Sequence, residues 1–136
     1  MVVKTKQLGN IGEDIAEKYL KKQGYKIIER NFRYKGCGEI DIIAKKGGSL
    51  SFIEVKTRIT KSQRSPYTPE DNITYFKQKQ LIKLSKIYLV NNLSASRQEN
   101  HNIPWQIDVI AVEIPQYCGT QKSKLRHIEQ AIEDFD

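Results

Sequence analysis

Gly38-Glu39-Ile40-Asp41-Ile42-Ile43-Ala44 is followed shortly by Phe52-Ile53-Glu54-Val55-Lys56-Thr57-Arg58. Each run sets charged residues two apart among β-branched or aromatic ones, the composition of a strand. Lys45-Lys46-Gly47-Gly48-Ser49 between them reads as a turn, so the two runs form an antiparallel hairpin. With the turn centred on Gly47-Gly48, opposed residues have numbers that sum to 95, and Asp41 faces Glu54 while Glu39 faces Lys56. Residues two apart share a sheet face, which puts all four charges on one side. Two carboxylates directly opposite one another repel. A divalent cation bound by both would cancel that repulsion, with Lys56 completing the site. Such a site suits metal-assisted chemistry on a phosphate.

The pairing depends on register. A loop of three or five residues shifts it by one and sends the opposing charge to the other face. The alternative is a solvated face on which Glu39 pairs with Lys56 and Asp41 with Lys45 or Arg58. The charged face also carries Ile43 and Phe52, however, and Ile40, Ile42, Ile53 and Val55 occupy the other. A hairpin of that pattern is expected to be covered on both sides, and covered charges need partners or a metal.

The chain of 136 residues is expected to form a single domain, residues 1–136, with a sizeable core. No run of about 18 apolar residues occurs, and Met-Val-Val-Lys-Thr-Lys has no signal-peptide character, so a soluble, cytoplasmic protein without a membrane partner is expected. Cys37 and Cys118 have no metal-finger spacing and suit a reducing compartment. Cys37, between two glycines, reads as a turn residue. His101 and His127 stand alone in the sequence and are assigned no metal. The net charge of +7 is uneven, because residues 56–86 hold eight Lys and Arg against two acids. That excess begins where the charged hairpin ends, and beside a carboxylate pair it suits a polyanionic partner, nucleic acid first.

These residues must be positioned by the elements around them. Leu8, Ile11, Ile15, Ala16, Tyr19 and Leu20 form an apolar stripe on a first helix over residues 7–23, which Gly24 ends. Glu13 lies at the edge of that stripe: it is either a half-exposed helix glutamate or a carboxylate overhanging the sheet beneath. Residues 25–33 read as a first strand, and 59–72 as a polar, mobile loop carrying Lys61 and Arg64. A second helix ends near Val90, with Thr68-Pro69 and Thr74 as alternative starts. Residues 103–114 read as a strand buried on both faces, interrupted by Asp108, for which a structural ion partner is favoured. Leu125, Ile128, Ile132 and Phe135 mark a terminal helix. The order αβββαβα makes an α/β domain with a mixed central sheet flanked by helices.

Gly9-x-x-Gly12-Glu13-x-x-Ala16, Asn31, Gly38-Glu39-Ile40-Asp41-x-Ile43-Ala44, Phe52-x-Glu54-Val55-Lys56-x-Arg58 and Lys77-Gln78 resemble the YraN-like family of bacterial proteins. The similarity covers residues 8 to 135. Such proteins are similar to PD-(D/E)xK nucleases of restriction-endonuclease-like fold and lie near archaeal Holliday-junction resolvases. Asp41 takes the place of the motif Asp, and Glu54-Val55-Lys56 that of (D/E)xK. The resemblance implies that the acidic pair binds Mg²⁺, that Lys56 activates or positions the attacking water, and that Glu13 approaches the metal. Two departures touch substrate contacts: Ser65-Pro66-Tyr67 replaces a Gly-containing turn, and Gln106 stands where Arg is expected.

Mg²⁺ or Mn²⁺ takes hard oxygen ligands, and Asp41, Glu54 and the main-chain carbonyl of Val55 would suffice. The expected activity is a metal-dependent endonuclease acting on DNA, branched or junction DNA included, with Asp41, Glu54, Lys56 and Glu13 as catalytic residues. Arg58, Lys61, Arg64, Lys77, Gln78, Lys79 and Lys83 are the expected nucleic-acid contacts, and a homodimer is compatible with a branched substrate. The rival readings are a non-catalytic nucleic-acid-binding module on a nuclease fold and a protein-interaction domain with an ion-paired hairpin.

Overall fold

The computed structural model describes residues 4–60, 68–93, 103–116 and 122–134. Helix α1 (Thr5–Lys22) leads into strands β1 (Lys26–Arg33), β2 (Glu39–Lys46) and β3 (Ser49–Thr60). A 3₁₀ turn (Pro69–Asn72) and helix α2 (Tyr75–Leu93) cross back to β4 (Trp105–Pro115), and β5 (Lys124–Ile132) closes the sheet. The sheet order is β1-β2-β3-β4-β5, antiparallel except for β3 and β4, which run parallel. This is the α/β architecture with a mixed central sheet that the sequence leads one to expect.

Local chemistry explains most boundaries. Gly24 at φ +90° ends α1, and the Tyr25 N–H returns to the Leu20 carbonyl at 2.9 Å. Gly47 and Gly48, at φ +59° and +83°, form a two-residue turn that sets Lys46 opposite Ser49. The sum-to-95 register follows through Ile43–Phe52 and Ile42–Ile53. Both proposed starts of the second helix are used. Asp71 Oδ2 accepts the Thr68 N–H at 2.8 Å around the 3₁₀ turn, and Thr74 Oγ1 accepts the Lys77 N–H at 3.1 Å at the start of α2.

Each sheet face has its own core. Ala16 and Leu20 of α1 pack on Ile42, Ala44, Ile53, Val55, Ile110 and Val112. Leu81, Leu84 and Tyr88 of α2 pack on Ile40, Ile43, Phe52, Ile107 and Val109, with Tyr88 edge-on to Phe32 and Phe52. The β4 run from Ile107 to Val112 is buried on both faces, as its nearly continuous apolar sequence, interrupted only by Asp108, leads one to expect.

The terminal helix of the αβββαβα order does not form; that segment is edge strand β5. Leu125 joins the α1-side core, whereas Ile128 and Ile132 join the α2-side core. A register shift adds to this: Ile107 pairs with Ile132 but Val109 with Ile128, while Gln130 sits at φ +50°. Alternation plus a bulge thus reproduces a three-and-four spacing that imitates a helix. Ile11 is 42 % exposed and lies off the buried stripe of α1. Ile59 and Thr60 extend β3, so the expected loop narrows; residues 61–67, Phe135, His101 and Cys118 lie outside the described residues. No described helix is long and apolar enough to cross a membrane.

Candidate active site

The site forms where the alternation of two strands breaks. Ile40 and Ile42 have the same parity, yet Ile40 packs on the α2 side and Ile42 on the α1 side. On β1, Phe32 faces the α2-side core, whereas Arg30 reaches the acids of α1. Between them stands Asn31 at φ +56°, a left-handed conformation that Asn tolerates better than most residues. The break leaves Asp41 between the two faces. Its Oδ2 accepts the Val55 N–H at 2.8 Å, just past the last hairpin pair.

Four carboxylates converge there. Glu13, Glu39 and Asp41 each bring one oxygen into a set lying within 4.8 Å of one another. Glu54 adds a fourth carboxylate, whose charge acts on Asp41. Glu13 reaches this point because α1 touches β3 at Gly12: a Cβ there would lie 1.8 Å from Thr57 Oγ1. With its nitrogen toward the acids, the Asn31 amide donates to Glu39 Oε1 at 2.7 Å and Glu13 Oε1 at 3.0 Å. Arg30 braces the outer side, 3.4 Å from Glu13 Oε2 and 2.7 Å from Asp14 Oδ1. Glu54 is buried, its Oε1 3.9 Å from the Lys56 ammonium and its Oε2 3.8 Å from that of Lys77. That Oε2 accepts no hydrogen bond. An open cleft of about 390 Å³, bordered by Gly9, Asn10, Glu13, Asn31 and Asp41, gives access from the α1 side.

Burial, helped by neighbouring charge, raises the pKa values of these acids. Burial, then the Asp41 charge, pushes the Glu13 carboxyl up to about 7. Burial, then the Glu54 charge, pushes Asp41 up to about 7 against the pull of the Val55 N–H. Burial also raises Glu54, opposed by Lys77 and Lys56. Three carboxylate oxygens gathered within 4.8 Å, beside a buried Glu54 Oε2 that accepts no hydrogen bond, make an all-oxygen donor set that fits a hard divalent ion.

Asp41, Glu54, Lys56 and Glu13 lie in one region, but the single charged face expected of the hairpin does not form. The parity break splits it, so Ile40 lies opposite to its expected side, and Glu39 meets Arg33 at 2.6 Å instead of Lys56. Val55 touches Asp41 through its N–H. Lys77, expected to touch nucleic acid, reaches the Glu39 carbonyl at 3.5 Å and Glu54. Lys79 and Lys83 are exposed, whereas the Gln78 amide turns back to the Ile73 carbonyl at 3.4 Å. Arg58 donates to Glu113 at 3.0 Å, in a network where Arg126 joins Glu113 to Glu70 of the 3₁₀ turn. Lys61 and Arg64 lie outside the described residues.

Sequence reasoning missed Glu39 as a ligand group and Arg30 as its neighbour's brace. The available signal was Asn31, a strand-averse residue within a strand. His127 is not isolated: its Nε2 lies 2.8 Å from Asp108 Oδ2 and its Nδ1 3.1 Å from the Tyr19 hydroxyl. Asp108 Oδ1 also accepts from Gln106 and the Gln130 N–H, so this buried carboxylate has the structural partners expected of it.

A family model described as uncharacterised protein family UPF0102 matches residues 12–112. A UPF0102 protein of Geobacter metallireducens is 38 % identical over 133 residues, 98 % of each chain. Another, of Caldicellulosiruptor saccharolyticus, is 42 % identical over 107 residues, 79 % of this chain and 82 % of that one. Among solved structures, Pyrococcus furiosus SfsA in complex with Ca²⁺ is similar at 18 % identity with a TM-score of 0.41, covering 98 % of this chain and 67 % of that one. The family match begins at the glycine that seats Glu13 and ends in the buried strand β4, and with relatives this alike it shows that the chain belongs to the UPF0102 family, the YraN-like family its motifs resemble.

Proposed function

We propose that this protein is a metal-dependent phosphodiesterase, an endonuclease acting on DNA. The observation that carries the reading is the convergence of Glu13, Glu39 and Asp41 oxygens within 4.8 Å, beside a buried Glu54 whose Oε2 accepts no hydrogen bond. When bound, Mg²⁺ or Mn²⁺ supplies Lewis acidity and a water of lowered pKa. Asp41, Glu54, Glu13 and Glu39 would hold the ion; a carbonyl ligand from Val55 remains part of the reading. Asn31 fixes the orientation of the Glu13 and Glu39 carboxylates, and Arg30 fixes the outer edge of Glu13. Lys77 and Lys56 favour the ionised form of Glu54. Lys56, whose side chain is only partly buried, is the group placed to stabilise charge on a phosphate at the carboxylates.

The basic surface of α2 supports nucleic acid as the partner: residues 75–93 hold four Lys and no acid. Arg58, Lys77, Lys79 and Lys83, with Lys61, Arg64 and Gln78, remain the proposed contacts. Branched or junction DNA is the substrate class the family resemblance favours, and a homodimer would offer two such sites to a symmetric branch. The reading includes a cytoplasmic location, supported by cysteine usage that suits a reducing compartment.

The test is a panel of junction, flap, duplex and single-stranded DNA incubated with Mg²⁺ or Mn²⁺. Cleavage of at least one substrate by the wild type, abolished by Asp41→Ala, is the expected result. No cleavage of any substrate with either ion, alongside retained salt-sensitive binding, would replace this reading with that of a non-catalytic binding module.

A further inference from the structure

Phe76 is 75 % exposed, the largest exposure among the bulky hydrophobic side chains described. It stands in the first turn of α2, whose start is fixed by the Lys77 N–H donating to Thr74 Oγ1 at 3.1 Å. Tyr75 beside it is also exposed, with the Lys79 ammonium 4.8 Å from its ring centroid. The next residue, Lys77, reaches Glu54 and the Glu39 carbonyl of the carboxylate cluster. Two exposed aromatic rings, one of them with the Lys79 ammonium over it, therefore stand at the start of α2, next in sequence to Lys77 of the site.

We propose that Phe76 is a stacking platform for an unpaired base, so that the site recognises DNA in which a base near the reacting phosphate is out of its duplex. The inference rests on the nucleic-acid reading above and names the substrate feature which that site selects. A protein partner for the same ring is less well matched, because residues 75–93 present four Lys and no acid, a field that draws a polyanion. A phenyl ring is sequence-tolerant, since every base has a π-face, and it gains little from a fully stacked duplex. Phe76 adjoins Lys77 in the chain and Lys77 reaches Glu54, so a base held on the ring belongs to a strand that passes near the carboxylates. Tyr75 extends the platform, and Lys79 and Lys83 lie along the backbone path.

The test compares wild type, Phe76→Ala and Phe76→Trp for binding to a single-stranded oligonucleotide and to its blunt duplex, with EDTA present to prevent cleavage. Phe76→Ala should weaken single-strand binding by roughly tenfold and change duplex binding by less than about twofold. Phe76→Trp should keep the wild-type preference, and its added emission should be quenched by the single strand. Melting curves of the variants should overlay, because the side chain is exposed. Unchanged single-strand affinity in Phe76→Ala, an equal loss on both substrates, or no wild-type binding to either would overturn the inference. If the expected discrimination is found but no substrate is cleaved with Mg²⁺ or Mn²⁺, the hydrolase reading fails and the stacking role stands.

Discussion

Lys56 shows how closely two roles sit in this site. It is near enough to Glu54 to favour its charge, yet an ammonium cannot be a metal ligand. Lys56→Ala should therefore keep metal binding, with Lys77 still beside Glu54, while cleavage falls about 10²- to 10³-fold, the cost of one preorganised donor. Calorimetric metal titration and single-turnover cleavage, run together, check both halves. Asp41 carries a second consequence. Its folded pKa of about 7, like that of Glu13, lies above the usual 3.8 or 4.5, so the folded, metal-free protein holds protons that the unfolded chain releases. That contribution to stability is complete below about pH 4 and is lost as pH rises through about 7. Asp41→Asn keeps an acceptor for the Val55 N–H and removes the charge, so at pH 8 without metal it should stabilise the protein by roughly 1–3 kcal/mol. Denaturant titrations at pH 5 and pH 8 measure this, and a variant less stable than wild type at pH 8 would contradict it. Wild-type metal affinity should rise over the same interval as the competing protons leave.

The elements matter here for how closely they approach. Helix α1 reaches the sheet only because residue 12 has no side chain. Gly12→Ala forces its Cβ against Thr57 Oγ1, where 1.8 Å would separate them, and the helix must lift with Glu13 attached. A loss of about 1–3 kcal/mol is expected, typical of overpacking, together with weaker metal binding. Gly9→Ala is the control: nothing lies within 4 Å of its Cβ, and the fold should gain up to about 1 kcal/mol from better helix propensity. If the two variants melt alike, the close approach is not what seats Glu13. On the other side of the sheet, the Arg126–Glu70 and Arg126–Glu113 pairs fasten the 3₁₀ turn to β4 and β5. They set the height at which α2 begins, and hence where Lys77 and Phe76 stand.

At the scale of the whole molecule, charge segregates by location. The net charge of +7 is concentrated in residues 56–86, which include the start of α2 beside the carboxylates. Binding of duplex DNA should thus be electrostatic, with log K falling linearly in log[salt] at about 0.9 per phosphate contacted. Lys79→Ala and Lys83→Ala should each make that slope shallower by about one. Affinity flat in salt would remove nucleic acid as the partner. The sequence by itself determined the mixed α/β plan, the hairpin register through its Gly47-Gly48 turn, and the Asp41, Glu54 and Lys56 set, because these depend on local propensity, alternation and spacing. Terminal strand β5 was illegible, since a bulge at Gln130 imitates helical spacing. Only the tertiary structure decided that Asn31 and Asp41 break the alternation together, which turns Asp41 between the two faces. It alone showed that Glu39, Arg30 and Lys77 join Glu13 there from separate elements. Their approach depends on the contact of Gly12 with Thr57 and on the start of α2, distances that no spacing along the chain encodes.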